Sequence, residues 1–279
     1  MTAELKEKTI FEQAQSYAYA YMDGIDQRPI YPDPAAVSRL HAFDEPLPEA
    51  PQPSAEILRL LHEVGSPGTV AQTGGRYFGF VNGSVIPASL AARWLSDSWE
   101  QNAALHVISP TAAKLEQVCE RWLRELLGLP PTTVAGFVCG SAMATFCGLA
   151  AARSALFRKQ GWNIEDDGLF GAPPIRVVLS DGAHGTVFKA LSLLGLGRKR
   201  VELVPADAHG RIDAAHLPEL DDKTLLILQA GNVNSGAFDD FERIGRLARA
   251  AGSWVHIDGA FGLWAAASPN YRHLARGIE

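Results

Sequence analysis

An acidic residue directly follows an apolar segment late in the sequence. Residues 254–257 have the short, apolar character of a buried strand, Asp258 comes next, and small residues follow it. A buried carboxylate is costly unless a cation pairs with it, so Asp258 is a candidate functional acid. A protonated pyridine nitrogen would be a suitable cationic partner for it.

A second candidate site lies where small residues open a predicted helix. Gly140, Ser141 and Ala142 follow an apolar run at 134–138 and lead into a helical pattern. Small residues at such a turn let backbone N–H groups and the positive end of the helix dipole approach a phosphate, and Ser141 adds a hydroxyl donor. Plain packing is the alternative explanation, and the segment matches neither the P-loop nor the GxGxxG pattern.

A histidine provides the third candidate group. His184 lies shortly after the apolar run at 175–179, between Gly182 and Gly185. An imidazole in this position can lie flat on an aromatic ligand or take part in proton transfer. The alternative interpretation is a histidine that caps a helix or is satisfied by backbone groups.

Taken together, these segments provide a phosphate seat at Ser141, a ring-stacking group at His184 and an acid for a ring nitrogen at Asp258. Pyridoxal 5'-phosphate requires this combination of groups. A protonated ring nitrogen makes the pyridine ring an electron sink, which gives Asp258 the largest predicted role. We therefore expect pyridoxal 5'-phosphate as the cofactor.

Metal and disulfide chemistry have weaker support. His256 and Asp258 share one face of the predicted strand, which permits a metal site, but the sequence nominates no third ligand. Cys119, Cys139 and Cys147 lie in apolar segments without CxxC spacing, so we predict reduced core residues. No metal is therefore expected.

Short apolar runs alternate with helical patterns beyond residue 134, which predicts an α/β fold with a mainly parallel sheet and helices on both faces. The ligands of such sheets usually lie at the carboxyl ends of the strands. The predicted strands are 134–138, 175–179, 201–204, 225–228 and 254–257, and helical patterns begin near Ser141, His184, Asp213 and Ala237.

The first part of the chain differs in composition, because it is rich in proline. Seven prolines between residues 27 and 53 exclude long helices and central strands there, which predicts an extended arm. Helices are predicted from Ser54 to Gly65 and from Pro110 to Gly128. We divide the chain into an N-terminal helical and proline-rich arm, residues 1–75, and a larger domain, residues 76–279.

Composition and charge exclude several functional classes. The 279 residues carry a net charge of -6, with 25 Lys and Arg against 31 Asp and Glu, so a nucleic-acid partner is not expected. No apolar run approaches the roughly 18 residues of a membrane span, and residues 1–12 are too polar for a secretory signal. These features predict a cytoplasmic protein without a membrane partner.

The order and spacing of several segments resemble the group II pyridoxal-phosphate-dependent amino-acid decarboxylases, the aromatic amino-acid and glutamate decarboxylase family. The resemblance covers about residues 75–279. It is carried by Arg76-Tyr77-Phe78-Gly79-Phe80, Ser109-Pro110, Leu115-Glu116, Trp122, Leu126-Leu127-Gly128-Leu129-Pro130, Gly140-Ser141-Ala142, Ala151-Ala152-Arg153, Ala183-His184, Gly231, Gly236-Ala237-Phe238-Asp239 and His256-Ile257-Asp258-Gly259-Ala260-Phe261-Gly262.

This resemblance implies a type I, aspartate-aminotransferase-like fold and a role for each matching residue. Ser141 and Ala142 would hold the cofactor phosphate, and His184 would stack on the pyridine ring. Asp258 would pair with the ring nitrogen, and Ala260 would pack on the opposite face of the ring. A homodimer and a small-molecule amino-acid substrate are also implied.

Two departures concern substrate recognition. The family often carries His-Pro before the aromatic segment and Gly-Thr-Thr after the fourth strand, whereas this chain has Gly75-Arg76 and a Gly231-Asn232-Val233-Asn234 segment. We assign Arg76 and Phe78 to substrate binding and Asn234 to cofactor binding.

A third departure concerns the Schiff-base lysine. In the family it follows a histidine some 30 residues after the aspartate, whereas Glu279 is only 21 residues beyond Asp258. Lys189, five positions after His184, would point about 140° away from it around a helix. We therefore expect this chain to be the cofactor-cradling N-terminal part of a larger enzyme, inactive alone, with the lysine and the small C-terminal domain in a continuation or a complementing chain.

The first functional prediction is decarboxylation of an L-amino acid. Another type I reaction, such as aldol cleavage or transamination, is the alternative, because fold and cofactor do not determine which bond breaks. A third alternative, from a different class, is a non-catalytic subunit that binds the cofactor or serves assembly.

Overall fold

The computed structural model describes residues 6–80 and 82–279, and the chain separates into two compact units, residues 1–100 and 101–279. The first compact unit therefore extends past the predicted end of the arm at residue 75. The assignment of cofactor binding to residues 76–279 stays a prediction.

The first unit is helical in its described residues. Its α-helices are α1 (Thr9–Asp23), α2 (Pro34–Arg39), α3 (Ser54–Leu60) and α4 (Pro87–Trp99), with short 3-10 turns at Ile25–Gln27, Leu40–Phe43 and Ser66–Gly68 and a π-helical turn at Leu61–Gly65. In the proline-rich stretch, α2 has only six residues and begins where the Asp33 carboxylate accepts a hydrogen bond from the Ala36 N–H at 2.8 Å. Proline spacing thus allows one short helix within the predicted extended arm.

The second unit contains the sheet and five α-helices among the described residues. They are α5 (Pro110–Leu127), α6 (Ser141–Lys159), α7 (Ile164–Asp167), α8 (Gly185–Leu193) and α9 (Phe241–Ala251), with 3-10 turns at Leu263–Ala267 and Arg272–Ala275. The predicted helix from Pro110 is confirmed. It begins with proline in its first turn and ends at Gly128, whose φ of 67° is the left-handed conformation that glycine adopts without strain.

Four parallel strands form the sheet in the order β2-β1-β3-β4. They are β1 (Arg176–Ser180), β2 (Glu202–Val204), β3 (Thr224–Gln229) and β4 (Trp254–Asp258), and all three pairings are parallel. Strand order reverses between β1 and β3, because β2 lies outside β1 and β4 lies outside β3. Ligands of open α/β sheets bind at such a switch point, beyond the carboxyl ends of the strands.

Side-chain alternation along the strands builds a separate core on each face of the sheet. On one face, Leu179, Leu225 and Ile227 pack with Leu149 of α6 and Leu191 of α8. On the other face, the alternate strand residues pack against α9. This cluster contains Val178, Leu226 and Leu228 of the strands and Phe241, Ile244 and Ala248 of α9. The prediction of helices on both faces is therefore confirmed, and α6 and α8 share one face.

Three local predictions are wrong. Residues 134–138 form no strand, and Val134 is 82% exposed, because apolar content alone does not supply a neighbouring strand for pairing. No helix begins near Asp213, whose carboxylate accepts the Ala215 N–H at 2.9 Å and contacts His216, so a turn forms instead. Cys139 and Cys147 are free but exposed rather than in the core.

A bidentate ion pair joins the first residues of β1 and β2. The guanidinium of Arg176 contacts the two Glu202 oxygens at 2.8 and 2.7 Å, and hydrogen bonding to it holds the pKa of Glu202 below its usual value. The pair is partly exposed to solvent, so its energy is modest.

We expect Glu202→Gln to lower the free energy of unfolding by about 0.5–1 kcal/mol at pH 7. A depressed carboxylate pKa stabilises the fold above the unfolded pKa, near 4.5, and this contribution is lost as the pH falls through the folded value. Urea unfolding at pH 7 and pH 3 measures the difference, with Glu219→Gln as control. An equal effect at both pH values would contradict the assignment to this ion pair.

Within the described residues, none of the helices has the length and apolar character needed to cross a bilayer.

Candidate active site

Residues that end three of the strands line one pocket at the carboxyl edge of the sheet. Ser180 ends β1, Gln229 ends β3 and Asp258 ends β4. The side chain of His184, from the start of α8, lines the same pocket. The structure therefore brings together two of the site residues predicted from sequence, His184 and Asp258.

His184 has two structural features at once. It is the N-cap of α8, where its Nδ1 accepts the Thr186 N–H at 3.3 Å and lies 2.8 Å from the Thr186 hydroxyl. The helix-capping interpretation is therefore correct as far as Nδ1 is concerned. The residue is exposed and also lines the pocket.

Asp258 is partly buried at the last position of β4. Its backbone oxygen accepts the Ala230 N–H at 2.9 Å, and its Oδ1 accepts the Ala260 N–H at 3.2 Å. Within residues 6–80 and 82–279, no lysine or arginine forms an ion pair with this carboxylate. The acid therefore lines the pocket without a cationic side chain to neutralise it.

The start of α6 lies at the same edge of the sheet, as two contacts along the helix demonstrate. Gly148 packs against His256 in the middle of β4, and the Lys159 ammonium at the end of α6 contacts Gly252, which precedes β4. The helix therefore runs antiparallel to β4. Ser141 is about 10 Å along the helix from Gly148, and Asp258 is about 7 Å along the strand from His256.

The first turn of α6 is suited to an anion. Its N-cap residue is Gly140, so no side chain caps the helix, and Ser141 and Ala142 are exposed. The N–H groups of a first helical turn lack partners within the helix, and the helix dipole adds positive potential. Ser141 and Ala142 lie outside the wall of the pocket that contains His184 and Asp258.

Sequence reasoning assigned no role to three polar residues of the pocket, Ser180, Gln229 and Asp239. Asp239 is only 5% exposed, and its two carboxylate oxygens accept the Ile212 and Gln229 N–H groups at 2.8 and 2.7 Å. Burial raises its pKa, opposed by these two hydrogen bonds. Asp239 thereby ties β3 to the turn that carries Gly210. Gln229 could have been found, because it is polar and directly follows a predicted strand.

The remaining predicted residues occupy other positions. Ala260 is exposed just after β4, and Asn234 is exposed in the loop after β3, where its N–H donates to Asn232 Oδ1 at 2.9 Å. Arg76 belongs to the first unit and donates to the backbone oxygens of Asp26 and Arg28 at 2.8 and 2.6 Å. Phe78, in the same unit, is 91% exposed.

No metal site accompanies the pocket in the part of the chain that the structure describes. Among those residues, no group of three or more His, Cys, Asp or Glu side chains could hold an ion. His256 and Asp258 therefore have no third ligand in the described chain.

After β4, the backbone at Gly262 lies close to the backbone at Ala230 and thereby closes the loop that carries Ala260. The Gly262 N–H donates to Ala230 O at 2.9 Å, and a Cβ on Gly262 would lie 2.6 Å from that oxygen and 2.7 Å from Phe238 Cζ. The segment after Asp258 can reach this position only if residue 262 has no side chain.

We expect Gly262→Ala to lower the free energy of unfolding by about 1–3 kcal/mol, because overpacking displaces backbone. Urea denaturation measures the loss. Gly136→Ala is the matched control, since its added methyl would meet no atom within 4 Å. Equal stability of the two variants would argue against the close approach.

Comparison with known proteins identifies relatives of this chain. A family model, the pyridoxal-dependent decarboxylase conserved domain, matches residues 36–279. Aromatic-L-amino-acid decarboxylase of Rattus norvegicus is 27% identical over 287 residues, covering 94% of this chain and 58% of the relative. L-2,4-diaminobutyrate decarboxylase of Acinetobacter baumannii is 27% identical over 201 residues, covering 66% of this chain and 38% of the relative.

Solved structures establish the fold. Mouse CSAD has a TM-score of 0.85 at 22% identity, and Oryza sativa TDC with PLP and tryptamine has a TM-score of 0.82 at 22% identity. Each match covers 97% of this chain and 58% of the solved chain. The predicted type I fold is thus confirmed, and the chain spans a little over half the length of these solved chains. Since the family model covers most of its residues, the chain belongs to the pyridoxal-dependent decarboxylase family.

Proposed function

We propose that this chain is the cofactor-cradling part of an enzyme that decarboxylates an L-amino acid with pyridoxal 5'-phosphate. One observation carries the proposal: His184 and Asp258 line a single pocket at the strand carboxyl ends, at the edge where α6 begins. An uncompensated carboxylate, an exposed imidazole and an uncapped helix start match the ring nitrogen, ring face and phosphate of that cofactor.

Asp258 is the proposed partner of the protonated ring nitrogen. When bound, pyridoxal 5'-phosphate supplies an electron sink for the electrons that remain on the α-carbon after carbon dioxide leaves. The Asp258 carboxylate favours the protonated nitrogen because opposite charges attract strongly where water is scarce. Its hydrogen bond from Ala260 N–H orients the carboxylate and holds Ala260 beside it.

His184 is the proposed stacking and proton-transfer group. Its cap on α8 fixes the ring through Nδ1, which leaves the ring face for stacking and Nε2 for hydrogen bonding. Ser141 and Ala142, with the first-turn N–H groups of α6, are the proposed phosphate ligands. We assign Asn234 to the cofactor, and Arg76 and Phe78 to the substrate.

None of the seven lysines of the sequence lines the pocket. Lys159, for example, contacts Gly252 O at the opposite end of α6. We therefore propose that the lysine linked to the cofactor comes from another part of the enzyme or from a complementing chain. The chain alone would then bind the cofactor through noncovalent contacts and would not turn over efficiently.

Two measurements test this function. Pyridoxamine 5'-phosphate, which has no aldehyde and cannot attach to lysines, should bind the chain at micromolar concentration and compete with inorganic phosphate. An enzyme that contains the chain together with the cofactor-linking lysine should release carbon dioxide from L-amino acids. Formation of a keto acid or an aldehyde without carbon dioxide would instead favour transamination or aldol cleavage.

A homodimer is the proposed assembly. Large apolar side chains of the first unit are exposed, among them Phe11 at 55%, Leu95 at 54% and Leu61 at 56%. Exposed apolar surface of this kind marks interaction sites. Light scattering of the purified protein at several concentrations would measure its mass, and a constant monomer mass would contradict the proposal.

The cytoplasm is the proposed location. Cys119, Cys139 and Cys147 are all free thiols. Free thiols fit a reducing compartment better than an oxidising one. Cell fractionation tests this, and recovery of the protein outside the cytoplasmic fraction would refute it.

A further inference from the structure

The contact between His256 and Gly148 has no role in the function proposed so far. His256 lies in the middle of β4, opposite Ile227 of β3 and two residues before Asp258. A Cβ added to Gly148 of α6 would lie 2.9 Å from His256 Cε1 and 3.0 Å from Nδ1. The imidazole ring therefore fills the space that any side chain at residue 148 would need.

The ring itself is unusual for a buried polar group. The Nε2 atom of His256 is buried and has no hydrogen-bond partner in the described part of the chain. Burial lowers the pKa of His256, with Asp258 acting in the opposite direction. An unpaired buried nitrogen costs stability, and an aliphatic side chain would avoid that cost. The contact with Gly148 is thus one of van der Waals packing against the ring and involves no hydrogen bond of Nε2.

The contact between Gly148 and His256 relates the start of α6 to the carboxyl end of β4. Ser141 and Asp258 lie at the same edge of the sheet. The position of Ser141 depends on its distance along α6 from Gly148, and the position of Asp258 depends on its distance along β4 from His256. A shift of α6 along or away from β4 would change the span between the helix start and the carboxylate. A ligand that contacts both ends requires this span to be constant.

We infer that His256 is a positioning residue that, through its contact with Gly148, sets the distance between the phosphate seat at Ser141 and the acid Asp258. The inference rests on the proposed function, because it needs a ligand with an anionic group at one end and a basic nitrogen at the other. Its effect should be largest on ligands that carry the phosphate.

The test compares the chain's affinity for pyridoxamine 5'-phosphate with that for pyridoxamine, by equilibrium dialysis. The ratio of the two affinities reports how well phosphate and ring are held simultaneously. We expect Gly148→Ala and His256→Ala each to lower this ratio at least tenfold. In the double variant the methyl added at residue 148 partly fills the space left by the ring of His256. The affinity ratio should therefore recover at least half of its loss, on a logarithmic scale.

Gly245→Ala in α9 is the matched control, because its added methyl would meet the nearest atom, Gly277 O, at an ordinary 3.6 Å. This variant should leave the ratio within twofold of the wild-type value. A purely structural role for His256 would weaken both ligands equally, and an unchanged ratio in folded His256→Ala would overturn the inference even if Gly148→Ala fails to fold. If the wild-type chain binds neither ligand, the proposed function itself is wrong and the inference with it.

Discussion

Replacing Asp258 with alanine is expected to reduce decarboxylation at least 10²- to 10³-fold in an enzyme that contains this chain and the cofactor-linking lysine. Truncating one partner of a desolvated charge pair costs about 3–4 kcal/mol, which corresponds to this change in rate. The cause is the lost preference for a protonated ring nitrogen, on which the electron sink depends. Carbon dioxide release under single-turnover conditions measures the chemical step.

Asp258→Asn separates charge from shape. The asparagine carbonyl can still accept the Ala260 N–H that now binds Oδ1, so the loop after β4 keeps its anchor. Because the negative charge is gone, we expect most of the loss in rate to remain. Comparable activity of Asp258→Asn and wild type, with both folded, would show that the carboxylate is not the partner of the ring nitrogen.

Replacing His184 is expected to have the second largest effect, about 10²-fold on the rate, because the residue combines ring stacking with proton transfer. Its capping role requires two matched variants. His184→Asn keeps a side chain that can cap α8 but cannot stack, whereas His184→Phe can stack but cannot cap.

We expect His184→Phe to bind pyridoxamine 5'-phosphate within about threefold of wild type, while His184→Asn loses about tenfold, the size of an aromatic contact worth about 1–1.5 kcal/mol. Both variants should have low decarboxylase activity, because neither side chain transfers protons at neutral pH. Thermal unfolding should show a lower melting temperature for His184→Phe than for His184→Asn. Full activity of His184→Phe would exclude the proton-transfer role.

Local sequence patterns predicted the helices and strands that depend on residues close to one another along the chain. The amphipathic spacing of α5, its first-turn proline and its terminal glycine act within about one helical turn, so the sequence alone indicated that helix. Residues 225–228 and 254–257 were likewise apolar enough to be strands in almost any α/β fold. The position of Asp258 at a strand end followed from the same pattern.

Patterns failed where a partner distant in sequence decides. Residues 134–138 are apolar but have no strand beside them. Asp213 is a different case, because its carboxylate accepts an N–H only two residues along the chain, and this local hydrogen bond forms a turn where a helix was predicted. Asp239 was not assigned a role because its burial depends on N–H groups of Ile212 and Gln229, which only the folded chain brings within reach of one carboxylate.

By itself, the sequence determined the α/β class, the acid after β4, the small-residue start of α6 and the histidine before α8, because each depends on neighbours along the chain. Only the tertiary structure decided that His184 and Asp258 line one pocket and that α6 is set against β4 through Gly148 and His256. The physical reason is that parallel strands from separate parts of the chain meet at one edge of the sheet, and side-chain packing between helix and sheet sets their register.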